Sequence, residues 1–238
     1  MIGLGTAINM GLIVGGSLIG LAFGRFMKEN LKQTLMMVSG IIVLLLGMSG
    51  AMQFMLVIVN GSLQTSGPLL MIVSMVVGAV IGELIDLNRW ITVFGDWVKA
   101  RTGNTGDPTF THAFITASLT FTVGAMGVLG SIQDGLTGDY QTLLLKGILD
   151  GVIVMVMTSS MGKGALFSFI PVGITQWVIT AMAHIAAPLM TQTAIDNLSY
   201  VGSILIFCVG IDLIWPGKIR IANLLPAIFI AMGLTFLI

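Results

Sequence analysis

Lys146 and Asp150 are the residues whose types and spacing point most directly to chemistry. Both lie in QTLLLKGILDGVIVMVMTSSM, which is otherwise apolar between Thr142 and Thr158, and no other Lys or Arg falls inside an apolar run. On a helix, the i, i+4 spacing puts the ammonium and the carboxylate on one face, where they can pair. At 1.5 Å per residue, Lys146 would sit ~8 Å and Asp150 ~14 Å below the start of that helix. Charges at such depth are costly and come with a partner or a task. Two readings stay open: a structural ion pair that satisfies itself, and an ion or proton site whose two charges tune each other. Thr158, Ser159 and Ser160 lie lower on the same helix. Their hydroxyls would line a path inward, and interhelical hydrogen bonding accounts for them equally well.

Other polar groups extend the candidate set. SIQDGLTGD brings Gln133, Asp134 and Asp139 to the loop before this helix, and VGAMGVLG places glycine on several faces just upstream. That spacing predicts a weak or broken helix end whose free amides and carbonyls could hold an ion. Glu83, Asp86 and Asp212 fall near the ends of apolar runs, within reach of Arg89, Lys218 or Arg220, with Glu83 the deepest. Asn9 and Asn223 add amides at membrane depth. Pro226 is expected to bend the last helix beside Asn223, with Pro171 and Pro188 acting likewise near the ends of the sixth run. No H-E-x-x-H zinc motif and no phosphate-binding loop is present, so no enzyme activity, metal or cofactor is expected. The Met residues read as flexible apolar filling. One catalytic alternative is Gly47-Met48-Ser49-Gly50 with His184, which resembles the serine–histidine dyad of rhomboid-type intramembrane proteases; an interior, satisfied His184 is the plainer account.

The elements that position these groups follow from composition. Apolar residues make up 56% of the 238-residue chain and charged residues 8%, with a mean hydropathy of +1.04. Soluble domains carry about 25% charged residues, so too few charges are present here to wet a globular surface, and the solvent is lipid. A net charge of zero with no basic patch leaves nucleic acid without a docking surface. The single Cys208 forms no intrachain disulfide. Judged against the ~20 residues that cross ~30 Å of hydrocarbon, eight apolar runs lie near 4–24, 34–59, 68–88, 111–131, 141–162, 165–190, 198–215 and 220–238. They read as helices, because backbone in lipid must satisfy its own hydrogen bonds and runs such as IIVLLLGM do not alternate as barrel strands do. The expectation is an all-α polytopic membrane bundle, residues 1–238 forming one membrane domain.

Nine of the ten basic residues fall in alternate connections: Arg25, Lys28, Lys32; Arg89, Lys99, Arg101; Lys163; Lys218, Arg220. The positive-inside rule makes that side cytoplasmic and puts both termini outside. MIGLGTAINM has no basic n-region, so the first run reads as a span and not as a cleaved signal. The connection 89–108 contains RWITVFGDWVKARTG, in which Trp90, Phe94, Trp97 and Val98 recur at helical spacing. This predicts a short amphipathic helix in the cytoplasmic interface.

QTLMMVSGIIVLLL from Gln33 resembles QTLLLKGILDGVIV from Gln141, each following a Gly-rich helix (Gly16, Gly20, Gly24; Gly124, Gly127, Gly130). Three spans separate the copies, which predicts an inverted repeat with halves 1–88 and 111–190 and two extra helices in 198–238. Lys146 and Asp150 would stand where Val38 and Ile42 stand in the first copy. The alternative is shared Leu-rich composition. The stripes Gly16-x3-Gly20-x3-Gly24, Gly78-x3-Gly82 and Gly147-x3-Gly151 predict close helix contacts and, with the slimness of the bundle, a homo-oligomer, most simply a dimer.

FTVGAMGVLGSIQDGLTGD, LLLKGILDG and KIRIANLLPAIFIA together resemble the bacterial membrane proteins grouped as domain-of-unknown-function family 554. The resemblance runs almost end to end, with MLVIVNGSLQTSG longer than the connection expected there. It implies an integral protein of the bacterial cytoplasmic membrane and a transport role. The combined reading is a transporter or channel for a small ion or polar solute, a cation or proton above others because intramembrane acids outnumber Lys146, with no ATP hydrolysis of its own. A membrane scaffold or assembly protein is the alternative.

Overall fold

The computed structural model describes residues 1–123, 125–186 and 191–235; Gly124, Pro188 and the ends of the sixth and eighth apolar runs lie outside them. In chain order, the elements begin with α1 (Leu4–Gly24), α2 (Glu29–Met55), β1 (Leu56–Val59), β2 (Ser62–Thr65), α3 (Pro68–Ile85) and α4 (Leu87–Arg101). They continue with α5 (Phe110–Thr122), α6 (Ala125–Thr137), α7 (Gln141–Met161), α8 (Phe169–Ala181), α9 (Ala183–Ala186), α10 (Gln192–Ile214) and α11 (Pro226–Leu234). Short 3₁₀ turns, Lys163–Ser168 and Ile221–Leu224, lead into α8 and α11.

Among the described residues, six helical segments are long and apolar enough to cross a bilayer: α1, α2, α3, α7, Lys163–Ala181 and α10. The fold is a polytopic membrane helical bundle, but two of the eight expected spans differ. The run 111–131 is divided into α5 and α6, which meet at 61°; Val123 has extended backbone where a continuous helix would run. The run 220–238 yields the 3₁₀ turn and α11 of nine residues, short of the ~20 that cross the hydrocarbon. Pro226 does not bend a helix there. It stands in the first turn of α11, where its missing N–H has no intrahelical role. Pro171 likewise lies in the first turn of α8.

The second run also ends earlier than expected. Its helix stops at Met55, and 56–59 pairs antiparallel with 62–65, Leu56 opposite Thr65 and Val59 opposite Ser62. Asn60 (φ 51°) and Gly61 (φ 76°) are both left-handed, as a two-residue type I′ hairpin requires. The amphipathic helix expected in 89–108 is present as α4, with Trp90, Val93, Phe94 and Trp97 exposed along it. Val98, expected in that stripe, is buried instead. The Gly95 side of α4 meets α5 at Phe114 and Thr111, and Thr111 donates to the Asp96 carboxylate at 2.6 Å.

The glycine stripes are used inside the subunit. Gly16, Gly20 and Gly24 lie against the backbone of Gly151, Met155 and Ser159, so α1 runs along α7; Gly40, Gly47 and Gly210 join α2 to α10 in the same way. Gly78 and Gly82 of α3 abut Ala227 and Asn223. These surfaces therefore do not face a second copy. The outward faces of α2 and α3 carry Ile41, Leu45, Ile72, Val76 and Val80 exposed, the apolar exterior that a lipid solvent requires.

Candidate functional site

The helix carrying the charged pair is set in place at both ends. Gly138 takes a left-handed turn (φ 72°), and the Asp139 carboxylate accepts the Gln141 N–H at 3.0 Å, satisfying an amide that the first turn of α7 leaves free. Gly162 (φ 89°) ends the helix. Between them, Gly147 and Gly151 turn toward α1, and α1 approaches until Asn9 and Leu12 touch this strip.

Lys146 and Asp150 form the expected i, i+4 ion pair, with the ammonium donating to the carboxylate. Both are buried, at 7% and 6% exposure. The Asn9 amide lies beside Asp150, and both Lys146 and the Gln176 amide border Gly127 of α6. The pair lines a cavity of about 510 Å³ whose wall also includes Gln53, Thr120, Gln192, Asp196, Ser199 and Ser203. Gln53 and Gln192 belong to the last turn of α2 and the first turn of α10, so the cavity reaches the same end of the bundle as the α6–α7 connection. Its charged lining is Lys146 against Asp150 and Asp196, one cation and two anions. The first turn of α6 contributes Met126 and Gly127 to the wall, which makes the bend between α5 and α6 part of the site.

Thr158, Ser159 and Ser160 open into a separate space at the opposite end, a pocket of about 370 Å³ lined also by Arg25, Lys32 and Lys163. Their hydroxyls donate to backbone carbonyls of their own helix, Thr158 to Val154 at 2.8 Å, Ser159 and Ser160 to Val156 at 2.7 and 3.0 Å. Along α7, Val154 and Met157 stand between the residues lining the two spaces, fully buried in an apolar layer that also takes in Val43 and Phe121 of the cavity wall. Asp150 and Thr158 are eight positions apart on α7, ~12 Å at helical rise.

The remaining candidates separate. Asp134 is fully buried, and its Oδ2 accepts the Gly5 N–H in the first turn of α1 at 3.1 Å. Its neighbour Gln133 is exposed and accepts from the Thr142 hydroxyl at 2.7 Å. Asp139 is exposed and serves the start of α7, as above. Asn223 is buried, with its carbonyl oxygen accepting the Asn88 N–H at 2.6 Å; it ties the turn before α11 to α4. Glu83 accepts from Arg220 at 3.0 Å with both side chains more than half exposed, so it is an exposed ion pair and not a buried site. Glu83→Gln is accordingly expected to leave any flux unchanged and to shift stability by no more than ~1 kcal/mol, as read by thermal melts of the detergent-solubilised protein. Asp212 pairs with His112 at 3.2 Å and accepts the Gly217 N–H at 2.8 Å, instead of meeting Lys218 or Arg220. Ser49 and His184 are exposed on α2 and α9, with no hydrogen bond joining them among the described residues.

Some buried polar groups and pairings are not legible in the sequence. Gln176 lies in the otherwise apolar ITQWVIT, and Thr6 with Asn9 shows an i, i+3 polar spacing on α1. His112 and Asp212 are 100 residues apart, beyond any motif spacing.

These features define a class: a polytopic membrane protein with a charged, cavity-lining site inside its helical bundle. The chain belongs to the family described as "Protein of unknown function (DUF554)", whose pattern it matches over residues 4–236. It is similar to the uncharacterized membrane protein YdfK of Bacillus subtilis (strain 168), 28% identical over 235 residues, covering 98% of this chain and 96% of that protein. It is also similar to the uncharacterized protein YqgA of Escherichia coli (strain K12), 23% identical over 236 residues, with 98% and 96% covered. No solved structure matches the chain.

Proposed function

We propose that this protein is a transporter that moves a small cation or a small polar solute together with one, through the cavity beside Lys146 and Asp150. The observation that carries this reading is the buried pair lining a 510 Å³ cavity at one end of α7, while a second polar pocket opens at the other end of the same helix. A purely structural pair would be packed away from open space. The apolar layer between the two spaces is the seal that a transporter needs in order to keep ions from leaking. The carboxylate excess of the cavity favours a cation. Broken helices such as α5–α6 are a recurring part of transporter sites, because non-helical backbone is tolerated at membrane depth where it is buried in protein or lines a cavity. By the positive-inside rule, the Arg25, Lys32 and Lys163 pocket is cytoplasmic, the cavity opens outside, and both termini lie outside.

The test combines flux with accessibility. In a Cys208→Ala background, Gln53→Cys places a thiol on the cavity rim, and an impermeant thiol reagent added to intact cells is expected to label it and to block cation uptake. Asn30→Cys, on the cytoplasmic side, is expected to stay unlabelled. Labelling of Asn30→Cys alone would invert the orientation, and full uptake by labelled Gln53→Cys would remove the cavity from the path.

A further inference from the structure

The pocket at the far end of α7 has the opposite charge character to the cavity. Its lining includes Arg25, Lys32 and Lys163 against a single carboxylate, Glu29. The three basic residues come from three separate elements. Gly24 packs against the Ser159 backbone, which brings Arg25, the next residue, to the end of α7. Lys163 follows Gly162, where α7 stops. Lys32 lies in the first turn of α2, after the short connection from α1.

None of the three is committed to a close partner. Arg25 and Lys163 form no ion pair among the described residues. Lys32 Nζ stands 3.8 Å from Glu29 Oε2, too far for a hydrogen bond. The Glu29 side chain is 73% exposed, so water screens most of its charge. Asp107 comes near the rim at Gly162, but its Oδ1 already accepts the Thr109 N–H at 2.9 Å and the Thr109 hydroxyl at 2.8 Å. Ser159 and Ser160 spend their hydroxyl protons on backbone carbonyls. The donors that remain are one guanidinium and two ammonium groups, around a space of about 370 Å³.

Cations gathered at one pocket repel each other, and an anion between them relieves the repulsion. Guanidinium and ammonium groups are the side chains that bind phosphate oxygens most strongly. The pocket lies where α1 and α7 end and α2 begins, the level of the lipid headgroups, and basic pockets between membrane helices at that level hold anionic headgroups. Phe23 and Phe26, flanking Arg25 in the chain, are 61% and 88% exposed. They offer apolar surface to the acyl chains of a lipid whose headgroup enters the pocket.

We propose that Arg25, Lys32 and Lys163 form a binding site for the phosphate group of an anionic phospholipid. The inference does not require the transport reading. For a cation leaving by this pocket, the bound phosphate also cancels the repulsion that three basic side chains would exert.

The test uses the full-length protein, purified in mild detergent and stripped of lipid. Phosphatidylglycerol is titrated in, with melting temperature and the lipid retained after size exclusion both read. Phosphatidylcholine of the same chain length, glycerol 3-phosphate and inorganic phosphate are the parallel arms. Phosphatidylglycerol is expected to raise the melting temperature with concentration, as a ligand of the native state does, and to be retained; the other three are not. Arg25→Gln with Lys32→Gln and Lys163→Gln is expected to need on the order of a hundredfold more lipid, about fivefold for each side chain. Arg89→Gln with Lys99→Gln and Arg101→Gln makes the same charge change on α4, outside the pocket, and is expected to respond as the parent does. Should the pocket variant fail to assemble, Arg25→Gln and Lys163→Gln singly are each expected to shift the response about fivefold. An equal rise with phosphatidylcholine, or an equal loss in the α4 variant, overturns the site. A rise with glycerol 3-phosphate or inorganic phosphate that matches the lipid's overturns the lipid as the source of the phosphate. Loss of flux in the Lys146/Asp150 variant bears on the transporter alone, since neither residue lines this pocket.

Discussion

The double variant Lys146→Met with Asp150→Leu is expected to assemble as the parent does and to lose cation flux in proteoliposomes. The reasoning starts from the cost of a lone charge. Lys146 and Asp150 are both buried and bonded to each other, so Lys146→Met or Asp150→Leu alone leaves a charge inside the bundle without its partner. Insertion scales put that at about 2.5–3.5 kcal/mol near mid-membrane, enough to confuse misfolding with lost function. Removing both charges while keeping bulk avoids the problem, and replacing buried pairs by apolar residues of similar volume is often neutral or stabilising. Met and Leu also keep the Gly127 and Asn9 neighbours packed. Elution as a single symmetric species with a melting temperature at or above the parent's, together with flux at the empty-liposome level, is the expected result. A well-assembled double variant with parental flux would make the pair structural and remove the cavity from the mechanism.

The second large effect concerns adjacent glycines on α1. Gly16→Ala is expected to disrupt the fold, and Gly15→Ala is expected to be tolerated. A Cβ at Gly16 would lie well inside 3.0 Å of the Gly151 carbonyl, whereas one at Gly15 meets nothing within 4 Å. What opposes Gly16 is backbone on both sides, so no rotamer change can relieve it and α1 must move off α7. Overpacking typically costs ~1–3 kcal/mol where side chains can adjust, and a backbone–backbone clash sits at or above the upper end. Because α7 carries Lys146 and Asp150, the displacement should also draw Asn9 away from Asp150. Gly20→Leu, against Met155 and Thr158, should be more severe. Thermal melts and size-exclusion profiles of the three variants check the ranking; equal behaviour of Gly15→Ala and Gly16→Ala would contradict the α1–α7 packing.

Some of this architecture is written in the chain itself. The scarcity of charge requires a lipid solvent, and with it helices. The i, i+4 spacing of Lys146 and Asp150 puts them in reach of each other whatever surrounds them. Glycine on successive faces of VGAMGVLG marks a weak helix, but the break falls at its first residue, Val123, and SIQDGLT, expected as loop, continues α6 through Gln133 and Asp134 to Thr137. The Asn60–Gly61 hairpin is equally legible, since Asn-Gly between apolar residues favours a type I′ turn; reading 34–59 as one helical run passes over it.

Which polar groups meet is decided by tertiary structure. Gln133 and Asp134 are consecutive, yet one is exposed and the other fully buried against α1, because neighbours on a helix point about 100° apart and only a packed partner helix gives either direction a meaning. Asn9 reaches Asp150, Gln176 reaches the Lys146 side of α6, and His112 reaches Asp212, each across helices far apart in the chain. In a soluble protein, hydrophobic periodicity would mark the inward face of each helix. Here lipid and core are both apolar, so that signal is nearly absent, and the inward face is set by where glycines let two backbones touch.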